Sequence, residues 1–453
     1  MLLGVKMRQI ISFLLLLAMG SQPPAHGQAA SSAVADVPAI VTLQEAIRRA
    51  EANEPSFAAA RAESGSARLD RSIARAGLLP SAVYHNQALY TQSNGQQNLA
   101  GQGVSAQAAP KFIANNAVRE YASQGVFNET FGMAGVAGVR RADASVARAA
   151  AELEVARRGL VAAVTGLYYG VLAEESKLAI AERAHAEAAE FTSLTGKREQ
   201  AREAAHADVV KAQLLEQQRQ RDLSDARVTA EKARLELGVL LFPDPRTPYK
   251  VAAEDTPAPL ADRAEVEAAA VKNNPELKSA LASMSLSNAD VLAARAAYLP
   301  DLGLNVTYGI DAPQFAVNGP DHTRNLGYSA SVTVDVPIWD WLSTAHKVKQ
   351  SEIRRDVARV ALTATQRKLI ARLDEAYSEA QVARDQLASL DLSVTTAAES
   401  LRLTKLRYAE GEATVLEVVD AQTAFVTAEN AREDGRTRYQ AARADLQTLT
   451  GTR

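Results

Sequence analysis

Between residues 301 and 308 apolar and polar positions alternate without a break. Leu302, Leu304, Val306 and Tyr308 fall on one side, and Asp301, Gly303, Asn305 and Thr307 fall on the other. A period of two predicts a strand with one oily face. The run "YSASVTVDVP" repeats the pattern, with Tyr328, Ala330, Val332, Val334 and Val336 against Ser329, Ser331, Thr333 and Asp335, and Pro337 closes it. Between the two, "GIDAPQFAVNGPDHTRN" is rich in Gly, Pro, Asn and Asp and reads as a hairpin loop. At roughly ten residues each, the strands are about long enough to cross a bilayer at a tilt. An edge hairpin of a soluble sheet is the alternative this pattern leaves open.

The first strand is entered from an alanine-rich helical run at Leu299-Pro300, and "ARAGLLPSAVYHNQALY" makes the same change at Leu79-Pro80. Pro55 precedes Pro80 by the same step that separates Pro275 from Pro300. Downstream, Tyr168 and "DVVKAQ" correspond to Tyr377 and "EVVDAQ". One unit is therefore written twice, which indicates a duplicated half rather than a short-period solenoid. The expected organisation is a first repeat over 30–242, with a hairpin at about 81–128 and long helices at about 138–241. A Pro-rich linker at 243–262 leads to a second repeat over 263–453, with a hairpin at about 301–337 and helices at about 342–450. The strands of the first hairpin alternate poorly.

No proline occurs from Lys111 to Phe242 or after Trp339, and both regions are dense in strong helix formers. Helices of about 50 residues would run roughly 75 Å. Leu403, Leu406, Val415, Val418, Val419 and Ala421 recur at three- and four-residue spacing, the pattern of antiparallel coiled-coil packing. Gly411, between Glu410 and Glu412, is the natural turn from one long helix to the next.

Composition narrows the function classes. Lys6 and Arg8 precede an apolar run from Ile10 to Met19, then Pro23, Pro24 and small residues, so residues 1–29 read as a secretory signal peptide too short to span as a helix. No later apolar stretch reaches 18 residues, so membrane contact must come from strands. A net charge of −3, spread along the chain, gives no nucleic-acid footprint. The absence of cysteine excludes disulfides, thiolate metal sites and a lipidated cysteine anchor. The histidines are scattered, and no nucleophile elbow, phosphate loop or metal-ligand spacing appears. No catalytic, cofactor-binding or metal site is expected, and the chain does not read as an enzyme.

Two hairpins supply four strands, which cannot close a barrel, and open edges in lipid cost several kcal/mol per unpaired backbone group. Closure needs copies of the chain. Three copies supply twelve strands around an aqueous lumen, although even counts also arise from two or four. Pro80 and Pro300 would then mark the change of solvent from periplasm to bilayer. An exported periplasmic coiled-coil scaffold or adaptor is the competing class, but it has no use for a Leu-Pro strand junction repeated at matched spacing.

The duplicated helix-Leu-Pro-strand pattern and "RYAEGEATVLEVVDAQTAFVTAE" resemble the TolC-like outer-membrane efflux family across essentially the whole mature chain. The resemblance implies a mainly α fold with a transmembrane β-barrel portion, a homotrimer with a twelve-stranded barrel on a helical periplasmic tunnel, set in the outer membrane of a Gram-negative bacterium. It implies a passive conduit for efflux or type I secretion, served by a periplasmic adaptor and an inner-membrane transporter. The family's pore-lining tip acids correspond to Glu417 and Asp420, which stand at i and i+3 on one helix face. Of the family's tip lock, Tyr408 and Asp208 match, but Ala413 stands where an arginine is usual. The second tip turn carries Gly411 and Glu412, and Arg202 stands in the first turn where glycine is usual, so Arg407 or Arg202 could supply a substitute cation. Trp339, Trp341 and Phe127, beside Pro80, Pro300 and Pro337, are expected either as an aromatic girdle touching outer-membrane lipid or as a junction core.

Overall fold

A computed structural model describes residues 39–90, 119–252, 259–312, 314–319 and 324–451. The expected signal peptide at 1–29 and most of the first hairpin's loop lie outside the described residues. In chain order the elements are β1 (Ala39–Val41), α1 (Leu43–Asn53), α2 (Pro55–Ala76), β2 (Ser81–Tyr90), β3 (Arg119–Phe131), α3 (Met133–Gln200) and α4 (His206–Leu241). There follow β4 (Tyr249–Val251), α5 (Arg263–Asn273), α6 (Pro275–Ala296), β5 (Asp301–Ala312), β6 (Leu326–Asp335), α7 (Ser343–Ala409) and α8 (Val415–Thr450). The chain divides into two units. The smaller has Ala39, Ile40 and Pro248–Lys250 as its described part, the bulk of β1 and β4, which pair as a two-stranded sheet. All the helices and the other strands belong to the larger.

Within the larger unit the order of elements from α1 to α4 recurs from α5 to α8. Pro55 and Pro275 each occupy the first turn of a helix of 22 residues, where a missing N–H costs nothing. The asparagine near each proline ties the break to a distant helix end: the Asn53 amide donates to the Leu241 carbonyl (2.7 Å) and the Asn274 amide to that of Leu449 (3.1 Å). The two long helices, α3 with 68 residues and α7 with 67, run to about 100 Å, and their partners α4 and α8, with 36 each, to about 54 Å. The split is therefore unequal where the sequence suggested helices of similar length. Its reason is that each long helix is flanked by several shorter ones: α3 packs along α2, α1 and α4, and α7 along α6 and α8.

Alanine dominates the interior and lets helices approach closely. One cluster joins Val266, Ala270, Leu369, Leu373, Ala376, Ala380 and Leu446. The Tyr168 hydroxyl, fully buried, bonds the carbonyls of Ala252 (2.7 Å) and Val41 (3.2 Å). The expected coiled-coil stripe is only partly inward: Val415 and Val418 are buried, but Leu403 and Leu406 are half exposed, and Leu401 and Tyr408 take the interior places. Spacing alone marks an apolar stripe without saying which neighbour it faces.

Because α3 also packs along α6 and α8, the helices lie in the order α2 and α4, α3, α6 and α8, α7. The four longer strands follow the same order, β2-β3-β5-β6, all antiparallel. Exposed apolar side chains concentrate on the helices at the two ends of that order. Leu69, Ile73, Val210, Leu214 and Val228 stand on α2 and α4, and Ile353, Val357, Val360 and Ile370 on α7.

Candidate functional site

The register across the four strands sets every side chain on one of two faces. Ala82 pairs with Phe127, Phe127 with Val306, and Val306 with Ala330. By alternation one face collects Tyr84, Phe127, Phe131, Leu302, Leu304, Val306, Tyr308, Tyr328, Val332 and Val334. The opposite face carries His85, Gln124, Asn128, Asn305, Thr307, Ser329, Ser331 and Thr333. Two hairpins distant in sequence thus make one continuous apolar surface, most of it exposed in the single chain. Polar groups on this surface bond one another: Tyr84 Oη lies 2.8 Å from Ser123 Oγ, which donates to Asn86 Oδ1 at 2.9 Å. Glu129, buried beside Leu304, is the exception, with one carboxyl oxygen unbonded among the described residues.

Where the sheet meets the helices, Pro80 and Pro300 directly precede β2 and β5, and Pro337 lies just past β6. Trp339 and Trp341 stand edge to face with ring centres 5.7 Å apart and are 70% and 83% exposed, so they do not form a junction core within the chain. Trp341 and Leu342 both adopt left-handed backbone, with φ of 55° and 64°, a conformation costing of order 1–3 kcal/mol for each such residue. Asp340 then caps α7 by accepting from the Thr344 amide at 2.7 Å. Phe127 lies inside β3, on the apolar face, rather than at the return to helix, a place taken by Phe131.

At the far ends of the long helices the two hairpin turns share one geometry. The Glu203 amide donates to the Arg198 carbonyl and the Arg202 amide to that of Glu199, each at 2.8 Å. Glu412 donates to the Arg407 carbonyl at 2.8 Å and Gly411 to that of Tyr408 at 3.1 Å. This is the Schellman pattern, whose pivot needs positive φ. Gly411 meets it at 82° without cost, whereas Arg202 is held at 63° against its Cβ. Thr414 and Glu417 close a capping box at the start of α8, and Arg407 pairs with Glu417 at 3.3 Å. The Thr414 amide and hydroxyl, with Arg407, hold the Glu417 carboxyl below the usual carboxylate range. Asp420 is exposed one turn farther along. Asp208 lies in the first turn of α4, where its ionic neighbour is Lys211 at 3.8 Å.

Tyr408 is the buried centre of the tip, packed with Phe191, Ala212, Val415 and Val418, and Ala413 rests against this cluster. Its hydroxyl lies 3.2 Å from Thr195 Oγ1 and its ring 5.2 Å from that of Phe191. The Arg198 guanidinium covers the ring at 4.9 Å and donates to the Tyr408 carbonyl.

Residues 268–452 match the family described as outer membrane efflux protein. Outer membrane protein OprJ of Pseudomonas aeruginosa is 27% identical over 176 residues, 39% of this chain and 36% of OprJ. Outer membrane protein TolC of Vibrio cholerae is 29% identical over 164 residues, 36% of each chain, so the matched region spans only about a third of these relatives. The CmeC outer membrane channel of Campylobacter jejuni superposes with a TM-score of 0.75 at 15% identity, over 90% of this chain and 85% of that one. Over residues 268–452 the chain is similar to outer membrane efflux proteins, and its fold is that of the CmeC channel.

The predicted tip residues do not all meet. Tyr408 reaches α3 through Thr195 and Arg198 and makes no hydrogen bond to Asp208. Arg407 binds within its own hairpin, to Glu417 and to the Glu412 carbonyl (3.0 Å), and Arg202 serves as a turn residue. Arg198 and Thr195 were missed by sequence reasoning. A signal existed: the offset that aligns "DVVKAQ" with "EVVDAQ" also aligns Arg198 with Arg407 and Thr195 with Thr404.

Proposed function

We propose that the chain is the outer-membrane channel-tunnel of a tripartite efflux or type I secretion system, a passive conduit for cargo handed on by an inner-membrane transporter and a periplasmic adaptor. The observation that carries this reading is the four-stranded sheet with one continuous apolar face and two open edges, joined to helices of about 100 Å. Lipid takes the apolar face, and the polar face lines water. The edges β2 and β6 close on neighbouring copies, and the exposed apolar stripes of α2 and α4 meet that of α7 in the same contact, since strands and helices follow one order. Three copies give a twelve-stranded barrel continued by a helical cylinder, which the recurrence of the element order in each half supports. Trp339 and Trp341 mark the periplasmic side of the membrane.

Glu417 and Asp420, gathered by symmetry at the tip, form an acidic collar that favours cations. The test is the mass of the complex extracted by detergent from outer membranes, with bound detergent subtracted. Three mature chains per particle are expected. A monomer, or recovery from the periplasm without detergent, would overturn the proposal.

A further inference from the structure

We infer that Arg198 is the clasp by which the first tip hairpin holds the second, so that the tip loosens when this contact is broken; the inference rests on the channel reading above. Arg198 makes three contacts at once. It stacks on the Tyr408 ring, donates from Nη1 to the Tyr408 carbonyl, and pairs with Glu203 of its own turn at 3.5 Å. The carbonyl it takes belongs to the last turn of α7, where partial negative charge accumulates, and it accepts the guanidinium beside the Gly411 amide. Its side chain is only 19% exposed, and a stacked guanidinium gains strength as water is removed. Beneath it the Tyr408 hydroxyl meets Thr195, whose own hydroxyl bonds the Phe191 carbonyl at 2.9 Å, so the clasp closes over a packed centre.

An arginine stands at the same position of the second turn. Arg198 and Arg407 occupy one position in two equal turns, each accepting the amide that follows the left-handed pivot. Arg407, 53% exposed, spends its donors on Glu417 and on the Glu412 carbonyl of its own hairpin. Arg198 divides its donors between Glu203 of its own turn and the Tyr408 carbonyl across the gap. Of the two arginines it is therefore Arg198 that reaches across, from α3 to the end of α7, while Lys405 of α7 pairs with Glu187 of α3 at 2.7 Å and Asp208 is engaged with Lys211.

The chain lacks cysteine, so spin labels can be introduced at Ala205 and Glu410, one on each turn, in the assembled full-length protein. Arg198→Ala is expected to lengthen and broaden the distance distribution between the labels and to raise single-channel conductance several-fold. Arg407→Ala should leave the distances near those of the unaltered protein, and Arg198→Lys, which keeps charge but loses the flat stacking fork, should fall between. An assembled Arg198→Ala protein with unchanged distances would overturn the inference, as would an Arg407→Ala protein equally loosened. Should no variant, nor the unaltered protein, pass current, the channel reading fails while the distances still decide the clasp.

Discussion

The register makes neighbouring residues on β5 opposite in their tolerance of charge. Val306 stands midway along the strand on the apolar face, between Phe127 and Ala330, and Thr307 points to the polar face, where its hydroxyl donates to Asn305 Oδ1 at 3.2 Å. An arginine on the lipid side near the bilayer midplane costs about 2–4 kcal/mol per chain. That is roughly a 30- to 1,000-fold loss in the folding equilibrium of each chain. Thr307→Arg removes one water-facing hydrogen bond, worth about 1 kcal/mol, and leaves the new charge in the lumen. The assay is denaturant-titrated folding into lipid vesicles, followed by the fluorescence of Trp339 and Trp341. Val306→Arg should abolish or sharply reduce insertion, and Thr307→Arg should insert nearly as the unaltered chain does. A soluble sheet would tolerate both, because each side would face water. Equal effects, or the reverse order, would refute the assignment of the apolar face to lipid.

Other expectations concern the helices and the tip. Arg202→Gly, by removing a Cβ from left-handed backbone, should stabilise the first turn by about 1 kcal/mol, and Gly411→Ala should weaken the second by about 1–2 kcal/mol, both read from amide exchange at Glu203 and Glu412. Asp208→Ala should change single-channel conductance only slightly; a many-fold rise would show that it anchors the gate after all. The folded-state pKa of Glu417 lies below its unfolded value, so its stabilisation is complete above the unfolded value and is lost as pH falls through the folded one. Order in the second turn, followed by spin-label mobility at Glu410, should hold at neutral pH and be lost only as the pH falls below the ordinary glutamate range, and Glu417→Gln should remove this acid dependence. Tyr168→Phe removes the hydroxyl donor of the Ala252 carbonyl, while the Val41 carbonyl keeps the Ala252 amide, and should cost about 1–3 kcal/mol in thermal unfolding, whereas Tyr377→Phe, whose exposed hydroxyl makes a 3.4 Å contact with the Ala261 carbonyl, should cost less.

What the sequence disclosed follows from how local each cause is. The second hairpin was legible because its face is written in strict alternation. The first was faint because Asn86, Ser123, Gly125 and Glu129 interrupt the apolar side, and only pairing of β3 with β5 shows which face they share. Gly411 announces a left-handed turn, but Arg202 hides the same turn, since nothing about an arginine predicts positive φ. Leu403 and Leu406 were legible as a stripe and not as an outward one, because an outward stripe has the same spacing as one serving the core. The tip contact is the extreme case. Its partners, Arg198 and Tyr408, lie on different hairpins of different repeats, so no periodicity links them. The resemblance supplied Tyr408 and Asp208 as a pair, yet the tyrosine takes α3 as its partner and the aspartate stays with Lys211. With Ala413 in place of the usual arginine, a cation for the tip had to come from elsewhere, and Arg198 supplies one from a position where both repeats carry arginine. Two arginines stand at equivalent places in the two turns, and the packing of α3 against α8 and the end of α7 determines which of them reaches the other hairpin.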